Sequence, residues 1–489
     1  MISVKRDACD SLSLSRARAL SLALSVLVGV VGAACSKPSS FEAASSASAS
    51  GATATPIAIA SSSSPATPTS AAPASGIAFI ENDYARALAE AKRTHRPLFM
   101  DTWAPWCHTC MSMKSYVFPD AQLARLAQEY VWLAIDSEDA SNADVLARFP
   151  ASSLPTLWVI DPATERAALK WIGSATVAEL EGLLDDAALA VRKGDAGGEA
   201  AAAFVRGNQA TGAGKPEDAV REYKKALAVA PADWKRRPQA VEALSARLDE
   251  LKLYAEGTLL AAAEIPKLPP GTSLANVVQN GLSAAYSLPR EAPARAKLPF
   301  LVQEAKRIAG DMALPMLADD RSGIYEHVVA VLHDTDPPGA KKLAREWANF
   351  LEGEAKKATT PTARAVFDPH RLNAYIELGE VERAVPMLAQ SERDLPSDYN
   401  PPARLARAYF ELHRLDEARG AMSRALALAY GPRKMQILLL DADIENARGD
   451  KAAARLALDE AHTLAAAKGL PPRYARMREE IDRRLAAQH

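Results

Sequence analysis

The sequence predicts an α/β domain, then an all-α array of helical repeats, behind a disordered N-terminal tether. Three observations point there. Between residues 77 and 192, apolar runs of strand length alternate with helical periods. From residue 195 the strand signals stop, and a Gly/Ala/Pro skeleton returns at a spacing of ~34 residues. Ahead of both, residues 36–76 are almost all Ala, Ser, Thr, Pro and Gly. The balance of the chain agrees. At 489 residues it is too long for one core. Charged residues are 24% with a net charge of −2, which gives no reason to expect a nucleic-acid partner or an anionic membrane patch. Aromatics are only 6% and alanine is abundant, which suits packed helices.

The segment 1–34 reads as a signal. Lys5, Arg6, Arg16 and Arg18 precede the apolar run Leu20 to Val31, too short to span a bilayer core of ~30 Å and right for a signal h-region. The run ends in small residues before Cys35, which resembles a bacterial lipoprotein signal cleaved and lipidated at that cysteine. Gly32 departs from the commonest form, where a larger aliphatic is usual. An ordinary secretory cleavage or an uncleaved anchor are the alternatives. The linker 35–76 cannot bury enough apolar area to offset ordering, and it reaches ~35 Å on average as a flexible tether. On the lipoprotein reading Cys9 leaves with the signal. Of the four cysteines only Cys107 and Cys110 then remain as thiols outside the cytoplasm.

The α/β domain is placed at 77–192. Ile77 to Ile80 reads as a strand, and Asn82 as the cap of the helix that follows. "PLFMDTW" is a buried strand, followed by the turn "APWCHTC" and a helix through Tyr116. Asp120 caps the helix "DAQLARLAQEY"; "VWLAID" is a strand, "NADVLARF" a helix, and "TLWVID" and "AALKWIG" are strands. "TVAELEGLLDDAALAVRKG" closes the domain as a helix. Trp132, Trp158 and Trp171 fall on strands and are assigned to the core.

The helical array is placed at 195–485 and is clearest at 200–233 and 369–470. Gly214, Ala219, Ala226 and Pro231 mark one unit. Gly379, Ala384 and Pro396 mark another; His413, Ala418, Ala425 and Pro432 a third; Gly449, Ala454 and Ala461 a fourth. The steps from Ala384 to Ala418 and from Ala418 to Ala454 are nearly equal. This skeleton and its period resemble the tetratricopeptide repeat. Residues 236–365 keep a helical period without the skeleton and are read as degenerate helix pairs of the same solenoid.

Chemistry centres on Cys107 and Cys110. Unpaired N–H groups and the dipole at a helix start stabilise an anion, so the first thiol of such a pair can be a thiolate near neutral pH. That sulfur can attack a disulfide, and the second can resolve the mixed intermediate. A structural zinc site is not expected, since one CxxC supplies two ligands and no second CxxC or CxxH exists. His327, His333, His370, His413 and His462 form no i, i+4 ligand pair and are assigned to surface or packing. Asp319, Asp320, Asp334 and Asp336 read as helix-loop acids and not as a metal site, and neither a metal nor a cofactor is expected. No P-loop, GxGxxG or GxSxG is present.

"FMDTWAPWCHTC" followed by "LPTLWVID" resembles the thioredoxin-like superfamily over residues 77–190. The longer stretch from Asp83 is similar to the periplasmic C-terminal domain of DsbD-type thiol:disulfide interchange proteins. The resemblance implies that Cys107 is the nucleophile and Cys110 the resolving thiol. It implies that buried Asp101 shuttles the proton of Cys110, and that Leu154, Pro155 and Thr156 form a cis-proline loop facing the disulfide, with Trp106 packed on the turn. Three departures stand out. His108 and Thr109 fill the variable pair, and a histidine there can stabilise the thiolate and move the potential from ~−270 mV towards ~−120 to −180 mV; a solvated polar residue is the plainer reading of His108. Trp132 stands where thioredoxins often carry a lysine near the buried acid. Lys114 stands where DsbD-type domains carry an acid.

These readings give an exported thiol:disulfide oxidoreductase, on the periplasmic side of the cell envelope, with helical repeats that dock a partner. The expected partners are disulfide-bearing envelope proteins, an unidentified redox partner, a protein ligand of the repeats, and a membrane through the lipid anchor. Whether it reduces, oxidises or isomerises is open. The alternative is a repeat scaffold in which the thioredoxin-like part is not catalytically required.

Overall fold

The computed structural model describes residues 75–487 apart from 152, 194–197, 468–469 and 471. The signal segment, Cys35 and the tether therefore lie outside the described residues.

Apolar runs bounded by turns build the sheet. β1 (Ile80–Glu81), β2 (Leu98–Trp103), β3 (Val131–Asp136), β4 (Thr156–Asp161) and β5 (Arg166–Ile172) pair in the order β1-β3-β2-β4-β5. β3 runs parallel to β1 and β2, whereas β4 is antiparallel to both β2 and β5. β2 is central, which explains its nearly unbroken apolar run: both of its faces are covered. On one face Phe79, Phe99, Phe118 and Trp132 meet with ring centroids 4.5–6.4 Å apart. Such rings each bury enough area to contribute about 1.5–3 kcal/mol. The other face packs Leu98, Met100, Leu133, Trp158 and Ile160 against α1 (Tyr84–Thr94). Trp132, Trp158 and Trp171 are all buried, as expected.

Two local expectations are corrected. The first strand pairs only at Ile80–Glu81, because the chain turns at Asn82 (φ 54°), and Ile77 packs into the core instead. Asp83, not Asn82, caps α1 by accepting from the Arg86 N–H at 3.0 Å. The Asn82 side chain accepts instead from the Asp136 N–H and from Asn142 Nδ2, at 2.8 and 2.9 Å, tying β1 to the end of β3. The remaining elements are α2 (His108–Ser112), running on as a π-helical turn at Met113–Val117, then α3 (Ala124–Glu129), α4 (Ala143–Arg148) and α5 (Val177–Lys193).

Beyond residue 198 the described elements are helical. They form pairs: α6 and α7 (Glu199–Gly212, Pro216–Val229), α8 and α9 (Arg237–Glu250, Tyr254–Glu264), α10 and α11 (Thr272–Ser287, Leu298–Gly310), and α12 and α13 (Ala318–Thr335, Pro337–Lys357). After the short α14 (Pro361–Ala365) come α15 and α16 (Asp368–Leu378, Ala384–Asp394), α17 and α18 (Asn400–Glu411, Leu415–Leu428), and α19 and α20 (Lys434–Arg448, Lys451–Ala465). α21 (Ala475–Ala486) follows. The stretch without a repeat skeleton is thus built of helix pairs too. Each first helix there packs on its mate and on the first helix of the next pair, as α8 does on α10 and α10 on α12. Small residues permit the close crossings: a Cβ on Gly207 would sit 2.4 Å from the Tyr223 ring. Gly379 and Gly449 end α15 and α19 in the left-handed conformation that glycine tolerates.

The sheet and the array share a core. Phe99, Trp132 and Trp171 belong to one apolar cluster with Ala203, Phe204, Tyr223 and Leu244 of α6–α8. Among the described residues, no helix is long and apolar enough to cross a membrane.

Candidate functional site at the cysteine turn

β2 delivers the chain to the turn, and α2 begins one residue after Cys107. Cys107 is the helix cap: its Sγ accepts from the Cys110 N–H at 3.1 Å. A sulfur so placed has a backbone donor and a helix dipole for its anion. Cys107 and Cys110 form a disulfide with Cα atoms 5.2 Å apart. Ala104, Trp103, Trp106 and Leu154 pack around the pair. The Leu154–Pro155 bond is cis, and Thr156, first residue of β4, pairs with Thr102 at the end of β2, so the proline loop lies beside the turn. The Thr156 hydroxyl donates back to Ser153 O at 2.6 Å and closes that loop.

Asp101 lies further down β2, fully buried, and neither of its carboxyl oxygens has a protein hydrogen-bond partner. Burial pushes its pKa up to about 7, against the pull of Lys114. Lys114 rises from the turn after α2, with Nζ 3.1 Å from the Trp103 ring centroid, and burial lowers its pKa while Asp101 holds it up. The cation near the buried acid thus comes from position 114, not from β3, where Trp132 fills the core.

The outer face of the turn is gripped by the helical array. Asn400 of α17 donates to Pro105 O at 3.2 Å, and the Arg433 guanidinium lies 4.4 Å from the Trp106 ring centroid. Trp106 Nε1 donates to Glu138 at 3.1 Å. That buried glutamate also accepts from Tyr474, from Arg473 and from the Arg433 N–H, so it ties the C-terminal helices to the turn. Cys107 is 4% exposed and Cys110 is fully buried.

Two long-range partners of His108 and Thr109 were not foreseen. His108 is not a solvated residue. Its Nδ1 lies 2.8 Å from Asp319 Oδ1 on α12 and 3.2 Å from His370 Nε2 on α15. Thr109 donates to Asp319 Oδ2 at 2.9 Å. Asp319 and Asp320 are therefore not loop acids: they sit buried in the first turn of α12, against the α/β domain. Burial would raise the Asp319 pKa, but the charges and hydrogen bonds of His108 and His370 hold it far below the carboxylate range. Burial opposes the charge on His370, yet Asp319 and Glu326 outweigh it and raise its pKa to about 10. Asp320 accepts from Ser174 at 2.7 Å and from Thr272 at 2.6 Å, and burial pushes its pKa up to about 7. Separations of 211 and 262 residues hide His108's partners from any local motif.

A family model described as thioredoxin-like matches residues 79–162. That stretch of the chain is thioredoxin-like. Over the same region the chain is 32% identical across 82 residues to the thiol:disulfide interchange protein DsbD of Pseudoalteromonas atlantica, covering 16% of this chain and 14% of that protein. It is 35% identical across 82 residues to the DsbD of Cronobacter sakazakii, again 16% and 14%. The match thus spans about a seventh of those relatives' length. Solved structures similar to the helical part include a tetratricopeptide repeat protein from Parabacteroides merdae, 12% identical, covering 58% of this chain and 96% of that one, with a TM-score of 0.39. Another is the TPR2AB-domain:pHSP90 complex of yeast Sti1, 16% identical, covering 59% and 98%, with a TM-score of 0.23.

Proposed function

We propose that the protein is an exported thiol:disulfide oxidoreductase that exchanges electrons with protein disulfides through Cys107 and Cys110. One observation carries the reading. A CxxC disulfide caps a helix beside a cis-proline loop, above a buried acid whose pKa is raised to about 7. In the reducing direction the Cys107 thiolate attacks one sulfur of the substrate disulfide and expels the other as a thiolate. Asp101 takes the Cys110 proton. The Cys110 thiolate then attacks Cys107 Sγ, which closes the pair and releases the second substrate thiol. Two electrons pass to the substrate, and no cofactor enters. Oxidation is the same sequence reversed. Because the array grips the turn, catalysis on a protein requires the seam at His108, Trp106 and Asn400 to part. We place the protein in the cell envelope, held by lipid on Cys35, with disulfide-bearing envelope proteins as substrates and the repeats as the docking surface.

A Cys110→Ser variant expressed in cells should accumulate mixed disulfides through Cys107, visible as dithiothreitol-sensitive adducts on gels. Absence of adducts would remove the reading. The near-complete burial of Cys107 favours a second reading, a repeat scaffold that uses the thioredoxin-like domain as a structural platform. In that case a phenotype would survive Cys107→Ser and be lost with the repeats.

A further inference from the structure

We propose that His108, Asp319 and His370 form a binding site for a divalent transition cation of the zinc class, at the seam between the catalytic turn and the helical array. The three donors come from α2, α12 and α15. His108 Nδ1, Asp319 Oδ1 and His370 Nε2 form a triangle with sides of 2.8, 3.4 and 3.2 Å. Tetrahedral zinc with bonds of ~2.0–2.1 Å needs donors about 3.3 Å apart. His108 Nδ1 and His370 Nε2 lie 3.2 Å apart and both face Asp319 Oδ1, so the three donors converge on one point, and a cation entering there would displace the ring proton between them. A single cation satisfies both lone pairs and the carboxylate together. Imidazole and carboxylate donors match zinc and its neighbours better than calcium or magnesium.

The surroundings are those of a built site. Asp319 and His370 are almost completely buried, whereas the His108 side chain is 19% exposed and leaves one side of the triangle near solvent. Glu326 Oε2 lies 3.5 Å from the second ring nitrogen of His370, and Asn373 holds that glutamate by donating to its other oxygen at 2.8 Å. At that distance the carboxylate supports the ring by charge, without a hydrogen bond at Nδ1, and a negative charge behind a ligating histidine raises its basicity. The Thr109 hydroxyl donates to the second oxygen of Asp319 at 2.9 Å, and His108 Nδ1 also approaches that oxygen, at 3.0 Å. Bound there, the cation would latch the thioredoxin-like domain onto α12 and α15 through the residue next to the nucleophile. The site does not depend on the thiol chemistry proposed above.

The test uses the full chain with Cys9 and Cys35 replaced by serine and the Cys107–Cys110 disulfide intact, so that no free thiol competes. Zn²⁺ is titrated calorimetrically, and Co²⁺ is titrated while its visible d–d absorption is followed. The expected result is one equivalent bound, with tetrahedral Co²⁺ bands and a rise in the unfolding midpoint. Asp319→Asn and His370→Ala should each weaken binding at least tenfold, and Glu326→Gln by about 10–100-fold. If the buried variants fail to fold, His108→Ala decides, because its side chain, 19% exposed, is the most accessible of the three. No stoichiometric binding by the parent, or equal binding by parent and His108→Ala, overturns the proposal.

Discussion

Asp101 has no hydrogen-bond partner and no face to water, so the fold favours its neutral form. The sign of its effect follows. The pKa is about 7 in the folded chain and ~3.9 unfolded, so the stability associated with the neutral carboxyl is full below pH ~4 and is lost as pH rises to about 7. Asparagine carries no such penalty. Asp101→Asn should therefore raise stability at pH 8 by about 2–4 kcal/mol, with little gain at pH 4, as read from denaturant midpoints. In the proposed mechanism the same group accepts the Cys110 proton only when ionised. The resolving step in the parent should rise with pH and level off above about 7. In Asp101→Asn that rise should vanish and the step should slow about 10²-fold, measured by stopped-flow decay of a mixed disulfide at Cys107. Position 101 was readable through the resemblance, which places a buried acid at that spacing before Cys107. Lys114 was not, because the charge it supplies arrives from a helical turn and not from the neighbouring strand.

At the scale of elements, strands and helices were legible where one physical signal dominated. β2, β3, β4 and β5 are apolar runs that end at turns, and they were readable almost to the residue. β1 was not: its two paired residues carry too little pattern, and the positive φ of Asn82 moved the cap to Asp83. The repeat turns were visible through their glycines. His413 occupies the matching position at the end of α17, with φ 56°, where Gly379 and Gly449 take φ 72° and 86°. A side chain in that conformation costs about 1–2 kcal/mol, partly offset in glycine by greater freedom of the unfolded chain. His413→Gly should raise stability by up to about 1 kcal/mol in thermal unfolding; a loss would mean that the imidazole makes a compensating contact. The pairs between α8 and α13 lack the glycine and alanine skeleton yet pair all the same, because helical apolar stripes suffice to stack them.

For the whole molecule, the decisive feature is that the helical array closes on the cysteine turn. Sequence reading predicted both parts but treated the repeats as a separate docking surface. The contacts between them join residues far apart along the chain, and no periodicity reports such pairs. Glu138 holds much of the seam, with its side chain wholly buried and Arg473 against it at 3.3 Å. Removing one partner of a buried pair strands the other, at about 3–5 kcal/mol. Glu138→Ala should cost about that much stability, and it should speed alkylation of reduced Cys107 by iodoacetamide, followed by mass spectrometry. An unchanged alkylation rate would mean that the seam does not control access.

The central claim is that Cys107 and Cys110 carry electrons to and from protein disulfides, and insulin reduction under dithiothreitol measures this most directly. Purified parent protein should accelerate insulin precipitation above dithiothreitol alone, and Cys107→Ser should return the rate to that background. Parent protein that gives no acceleration, or a Cys107→Ser variant as fast as the parent, would contradict the account.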